Sequence, residues 1–228
     1  MMSDGIIVLS MKKLVLIIIL FVLTSGPAFA GFLTGNSSPY VADKGLFAVK
    51  LNSTIIMTGT PFSSMCLACK YGYDDKVSLY GKAGVGTIDY TTVSGAKLTS
   101  DPQVSAVGVE YIFDGTRISQ YTAFVAEYET VSWSINKKSN TSSEILLGCD
   151  FMQISSNNLR TRYRVAIDNF NAGTESEVKI ETTAKYSLST ELEYYFTKNF
   201  RGSFEGGIYF GDSNGLMPTF GVGLGFSS

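Results

Sequence analysis

Residues 159–170, LRTRYRVAIDNF, set an arginine at every second position: Arg160, Arg162 and Arg164 share one parity, and Tyr163, Val165 and Ile167 share the other. Successive side chains of a strand point to opposite faces, so this stretch has one strongly cationic face and one apolar face. The same period of two runs through most of the chain. It predicts ten strands, near 45–56, 64–73, 76–90, 103–113, 118–134, 142–154, 159–170, 178–196, 200–211 and 216–226.

The connections between these segments alternate in length. Only Asp74-Asp75, Asp114-Gly115-Thr116, Ser156-Asn157-Asn158 and Thr197-Lys198-Asn199 separate the second segment from the third, the fourth from the fifth, the sixth from the seventh and the eighth from the ninth. The stretches Thr91 to Pro102, Asn136 to Thr141 and Asn171 to Glu177 make longer, polar connections in between. Tight turns on one side and longer loops on the other are the pattern of an up-and-down transmembrane barrel. The expected fold is therefore all-β, a closed antiparallel barrel of ten strands, or eight should the first or second segment fail to pair. An even count puts both termini on the turn side. Strands of about 9–11 residues span a membrane when tilted; the fifth and eighth segments are long enough to project beyond it.

Sorting by parity separates two faces. Val77, Leu79, Val107, Val109, Phe124, Ile145, Leu147, Leu188, Leu192 and Phe204 fall on one. Lys50, Lys70, Lys82, Arg160, Arg162, Arg164, Lys185 and Arg201 fall on the other with Glu110, Glu127, Glu129, Glu144, Asp150, Glu181, Glu191, Glu193 and Glu205. In a soluble barrel the apolar set, crowded with Phe, Tyr, Leu and Val, would be the whole core. A bilayer reverses the assignment: lipid meets the apolar face and the charges line the lumen. An arginine on the lipid face near the midplane costs about 2–4 kcal/mol, so three in a row point inward. The lumen of a small barrel is filled by side chains, and buried charges there have to pair. Glu144 and Asp150 on the preceding strand, and Glu181 and Glu191 on the following one, are the expected partners of the arginine ladder.

The N-terminus carries an export signal. Lys12-Lys13 precede an apolar run from Leu14 to Leu23, and Ala28-Phe29-Ala30 gives a small-residue cleavage site. The run is too short to span a membrane as a helix. The expected division is 1–30 as an N-terminal extension and cleaved signal peptide, with cleavage after Ala30, and 31–228 as one barrel domain. Leu146-Leu147-Gly148-Cys149 resembles a lipid-attachment box but lies far from the signal. Losing Lys12, Lys13 and Asp4 with the signal takes 18 basic and 20 acidic residues to 16 and 19, a balance that gives no reason to expect nucleic acid. Cys66 and Cys69 form a CxxC, yet with no histidine in the chain nothing completes a zinc site. In a strand the two thiols point to opposite faces, too far apart for a disulfide.

The last segment, TFGVGLGFSS, alternates Phe220, Val222, Leu224 and Phe226 with Gly221, Gly223 and Gly225. It resembles the C-terminal signal strand of bacterial outer-membrane proteins, departing from it in the two serines after Phe226. YGYDDKVSLYGKAGVG resembles the strand–turn–strand of small OmpA- and opacity-type barrels. The resemblance implies an outer-membrane location, contact with outer-membrane lipid and recognition by the barrel assembly machinery.

Histidine, the usual acid–base group near neutral pH, is absent, so the barrel hydrolases and acyltransferases that depend on it are an unsuitable model. Glu127 and Glu129 share a lumen face but lie beside cations, where ion pairing accounts for them. No catalytic residue, metal site or cofactor is expected. Open porins need about 16–18 strands. The expected role is structural or surface-interacting, with a narrow pore for small solutes and a soluble secreted lipocalin-like barrel as alternatives.

Overall fold

The alternating segments become strands, and the described residues contain no helix: β1 (Phe47–Ile56), β2 (Phe62–Gly72), β3 (Val77–Thr91), β4 (Lys97–Ser100), β5 (Gln103–Gly115), β6 (Tyr121–Ile135), β7 (Lys138–Ser156), β8 (Leu159–Ala172), β9 (Ala184–Tyr195), β10 (Phe200–Gly211) and β11 (Gly215–Ser227). The computed structural model describes residues 44–57, 62–91, 97–116, 120–135, 138–172, 184–211 and 215–228.

All strand pairings are antiparallel and join chain neighbours, apart from β3 with β5 and β1 with β11, the last of which closes the sheet. β4 and β5 are one stave of the barrel. Both pair with β3 in a single continuous register, Ile88↔Ser100 and Val85↔Gln103. Pro102 interrupts the ladder because it has no N–H, while its carbonyl still accepts from the Gly86 N–H at 2.9 Å. The result is a closed, ten-stave, up-and-down barrel, the architecture expected from the sequence.

Three connections differ from the sequence reading. The stretch read as a loop from Thr91 to Pro102 contains β4; β7 begins at Lys138, within the predicted Asn136–Thr141 loop; and β8 runs to Ala172. Polar composition suggested loops there, but ladder hydrogen bonds join backbones whatever the side chains are, and strands continue beyond the lipid. β7, with 19 residues, is the longest strand among the described residues, and β6, the fifth segment, has 15; the start of the eighth segment lies outside the described residues. On the outer wall of β5, β6 and β7 hydroxyls meet across strands in place of apolar groups: Ser105 with Thr130 at 2.8 Å and Ser132 with Thr141 at 3.3 Å.

The turns sit where their residues dictate. Asp74 Oδ1 accepts from the N–H groups of Lys76 and Val77 at 2.7 and 2.6 Å, and Thr197 Oγ1 accepts from Phe200 N–H at 3.0 Å. Gly115 has φ +83°, and a Cβ there would lie 2.1 Å from the Gln120 carbonyl oxygen. The residue before β1 and the end of β11 lie on this side: Gly45 N–H donates to Gly72 and Ser227 N–H to Asn199.

Burial is inverted relative to a soluble barrel. Val107 and Val165 are 63 % and 60 % exposed, whereas Glu110, Asp150 and Glu193 are 0 % exposed. Aromatic pairs ring the turn side of the outer wall: Phe47 with Tyr71, Phe113 with Phe124, Phe151 with Tyr163, and Tyr194 with Phe196. An apolar band with aromatic residues at its margin is the lipid-contacting surface of a membrane barrel. Cys66 is buried and Cys69 exposed, on opposite faces as their spacing requires, and both are free thiols.

The closing strand is thin where the lumen is crowded. A Cβ on Gly223 would lie 2.6 Å from Lys50 Cε and 2.8 Å from Ser203 Oγ. Gly223→Val is therefore expected to destabilise the folded barrel by about 1–3 kcal/mol through overpacking. Leu224→Val, on the lipid side of the same strand, is expected to cost less. Urea unfolding in detergent, followed by heat-modifiable gel mobility, measures both.

Candidate functional site: the charged lumen

Every inward position with a charge lies on a strand whose alternate residues meet lipid, so the pattern that builds the wall also builds the site. At mid-lumen, Arg164 and Asp150 are direct partners across β8 and β7. The guanidinium donates from Nε and Nη2 to the two carboxylate oxygens at 2.6 and 2.7 Å, a two-pronged contact that uses the planar fork of arginine. Arg162, two residues nearer the turn, donates from Nη1 to Glu191 and from Nη2 to Glu193, both at 3.0 Å. Its Nε lies 3.9 Å from Asp150.

Other pairs reach over an intervening strand. Lys70 on β2 donates to Glu110 on β5 at 2.7 Å. Lys82 and the Tyr80 hydroxyl on β3 both donate to Glu127 on β6, at 2.7 and 2.8 Å. Lys50 on β1 joins Glu191 on β9, past β11 and β10. At the turn side, Arg201 donates to the Tyr195 hydroxyl and lies 3.8 Å from Glu193.

The predicted lumen residues do not all meet as expected. Arg160 faces the lumen side of β8 directly opposite Glu193, but it stacks on the Tyr195 ring at 4.8 Å and forms no ion pair among the described residues. Glu193 takes a hydrogen bond on Oε1 from Arg162, and Arg201 Nη1 lies 3.8 Å from its Oε2. Glu144 is buried but lies opposite Glu129 and Phe170, six residues along β7 from Asp150, and so is not a partner of the ladder. Glu205 is buried directly opposite Glu191. Glu181, Ala28 and Ala30 lie outside the described residues; of Lys185 only the backbone, in β9, is described. Tyr195 was not singled out in the sequence. Its parity, opposite to Tyr194 and Phe196, already assigned it to the lumen.

Two rungs place carboxylates face to face, Glu129 with Glu144 and Glu191 with Glu205. Like charges directly opposite one another are destabilising. Glu191 is relieved by two cations, Lys50 and Arg162. Among the described residues the chemistry of this arrangement is that of fixed charges held by opposite ones.

Arg164→Met and Asp150→Leu are each expected to cost about 3–5 kcal/mol, because each strands a buried charge. The double variant is expected to cost clearly less than the sum. Urea unfolding of the three variants in detergent closes the cycle, and additive losses would mean that the two charges do not couple.

No family model matches the chain, and no curated protein matches it. Solved structures do. The β domain of the Bordetella autotransporter BrkA is similar over 81 % of this chain and 99 % of its own, at 11 % identity and a TM-score of 0.52. The N-terminal barrel domain of Pseudomonas aeruginosa OprF aligns over 81 % and 98 % at 15 % identity and a TM-score of 0.35. Pseudomonas aeruginosa OprG aligns over 82 % and 97 % at 10 % identity and a TM-score of 0.40. Together with the inverted burial, the likeness to the autotransporter domain assigns the chain the fold of a bacterial outer-membrane β-barrel.

Proposed function

We propose that this chain is an outer-membrane barrel whose role is structural or surface-interacting, with a lumen closed by its own side chains. The supporting observation is the set of contacts that cross the lumen from non-adjacent staves, Lys50 with Glu191, Lys70 with Glu110 and Lys82 with Glu127. Six buried cations, Lys50, Lys70, Lys82, Arg162, Arg164 and Arg201, each lie within 4 Å of a carboxylate, and their side chains occupy the space an open pore would need. The absence of histidine supports a non-enzymatic reading. In this reading the signal peptide is removed after Ala30, the assembly machinery recognises the β11 strand, and outer-membrane lipid is the direct partner of the wall.

The reading is tested in one preparation. The protein is expected in the detergent-extractable outer-membrane fraction, with folded and heated forms separating on a gel. Inserted into a planar bilayer, it is expected to give no porin-sized conductance steps. Regular open steps at neutral pH would replace a closed lumen with a pore.

A further inference from the structure

Among the described residues, the cations at the turn-side end of the lumen outnumber the acids. Four of them, Arg160, Arg162, Arg201 and Lys50, are gathered around two carboxylates, Glu191 and Glu193. Glu205, four residues along β10 from Arg201, leaves an excess of one even when counted. The excess is concentrated at the mouth, where Tyr195 holds two guanidinium groups, with Arg160 4.8 Å and Arg201 4.6 Å from its ring centroid.

The way Arg160 is held matters. Its guanidinium carbon lies over the Tyr195 ring, 4.8 Å from the centroid, and a cation–π contact takes up no acceptor oxygen. Ring contact therefore holds the group at the mouth with its N–H donors left for an oxyanion. Arg160 is half-buried, and the carboxylate directly opposite it is engaged by two other arginines. A guanidinium held this way beside a second one, with Arg201 4.6 Å from the same ring centroid, is suited to a two-pronged oxyanion.

We propose that the turn-side mouth of the lumen binds an oxyanion, a carboxylate or a phosphate, through Arg160 with Arg201 beside it. This goes beyond a structural role, since it gives the barrel a ligand site facing the periplasm. The anion completes the charge balance that Glu193 alone leaves open. Carboxylate from a peptide or acidic sugar and phosphate from a free ester offer the same pair of acceptor oxygens, so the probes have to separate them.

The test uses the protein extracted from membranes in detergent, titrated with inorganic phosphate and, separately, with acetate. Ionic strength is held constant with chloride, so that screening does not change. The side-chain Nε–Hε NMR signals of the arginines report binding. Saturable shifts confined to Arg160 and Arg201, with Arg164 unmoved, are expected. Saturation by phosphate alone assigns a phosphate site, by acetate alone a carboxylate site, and by both a general oxyanion site. Arg160→Gln is expected to weaken binding about tenfold, the loss of one charge-assisted contact, with Arg160→Lys in between. Heat-modifiable mobility verifies that the variants are folded. A linear response without saturation in the unaltered protein overturns the proposal with no variant needed, as does an unchanged response in folded Arg160→Gln.

Discussion

A charge enclosed by a ring of strands, with lipid outside the ring, has no bulk water to turn to. That constraint governs this barrel. Removing an ion from water costs several kcal/mol even after the protein relaxes, so each lumen charge needs a counter-ion placed with good geometry. Asp150 and Arg164 satisfy it by direct opposition on adjacent strands, with both oxygens engaged. Glu191 satisfies it with two cations from two different strands. The wall obeys the complementary rule: its backbone groups are paired by closure of the ring, because hydrocarbon offers them nothing.

Filling the lumen and pairing its charges are the same problem, solved by small residues between large ones. Gly108 on β5 lies directly between Tyr80 on β3 and Glu127 on β6, so the tyrosine hydroxyl reaches the carboxylate over it. Ala106 lies between Lys82 and Glu129, and Gly225 between Lys50 and Arg201. A bulkier residue at Gly108 would run into the Tyr80 ring, whose Cζ lies 2.3 Å from a Cβ placed there. Register is thereby fixed twice: a slip of one residue would expose the charges to lipid and also set large side chains against large ones.

How much of this was legible before the structure depends on which physical signal carries it. Period-two alternation gave the strands, their order and the face of each charge, because parity is local and one face meets lipid. Turn chemistry located the short connections, as Asp74 and Gly115 illustrate. The upper strand ends were misread at Asn136–Thr141, where Ser and Thr suggest a loop but a strand leaving the bilayer becomes polar on its outer wall too. Partner choice was not legible. That Arg162 reaches Asp150 on one side and Glu191 and Glu193 on the other depends on the register of three strands, which is not a property of a single segment. Glu144 looked like a partner of the ladder by sequence proximity alone; six residues along β7 remove it.

Contacts between adjacent and non-adjacent strands differ in when they can form. Arg164–Asp150 belongs to the hairpin of β7 and β8, and that hairpin alone brings the two residues opposite one another. Lys50–Glu191 crosses the seam where β1 meets β11, so Lys50 reaches this carboxylate only when the ring is shut. Lys70–Glu110 and Lys82–Glu127 likewise need three staves in place with the lumen curved around them. An open sheet leaves Lys50 and Glu191 without one another, and lipid then meets charge. Closure removes the free edges and joins these two charges in one event. The electrostatics of the lumen therefore favours the closed barrel over every partly assembled sheet, and the closing strand, β11, carries glycine at the three inward positions 221, 223 and 225 that the crossing side chains have to pass.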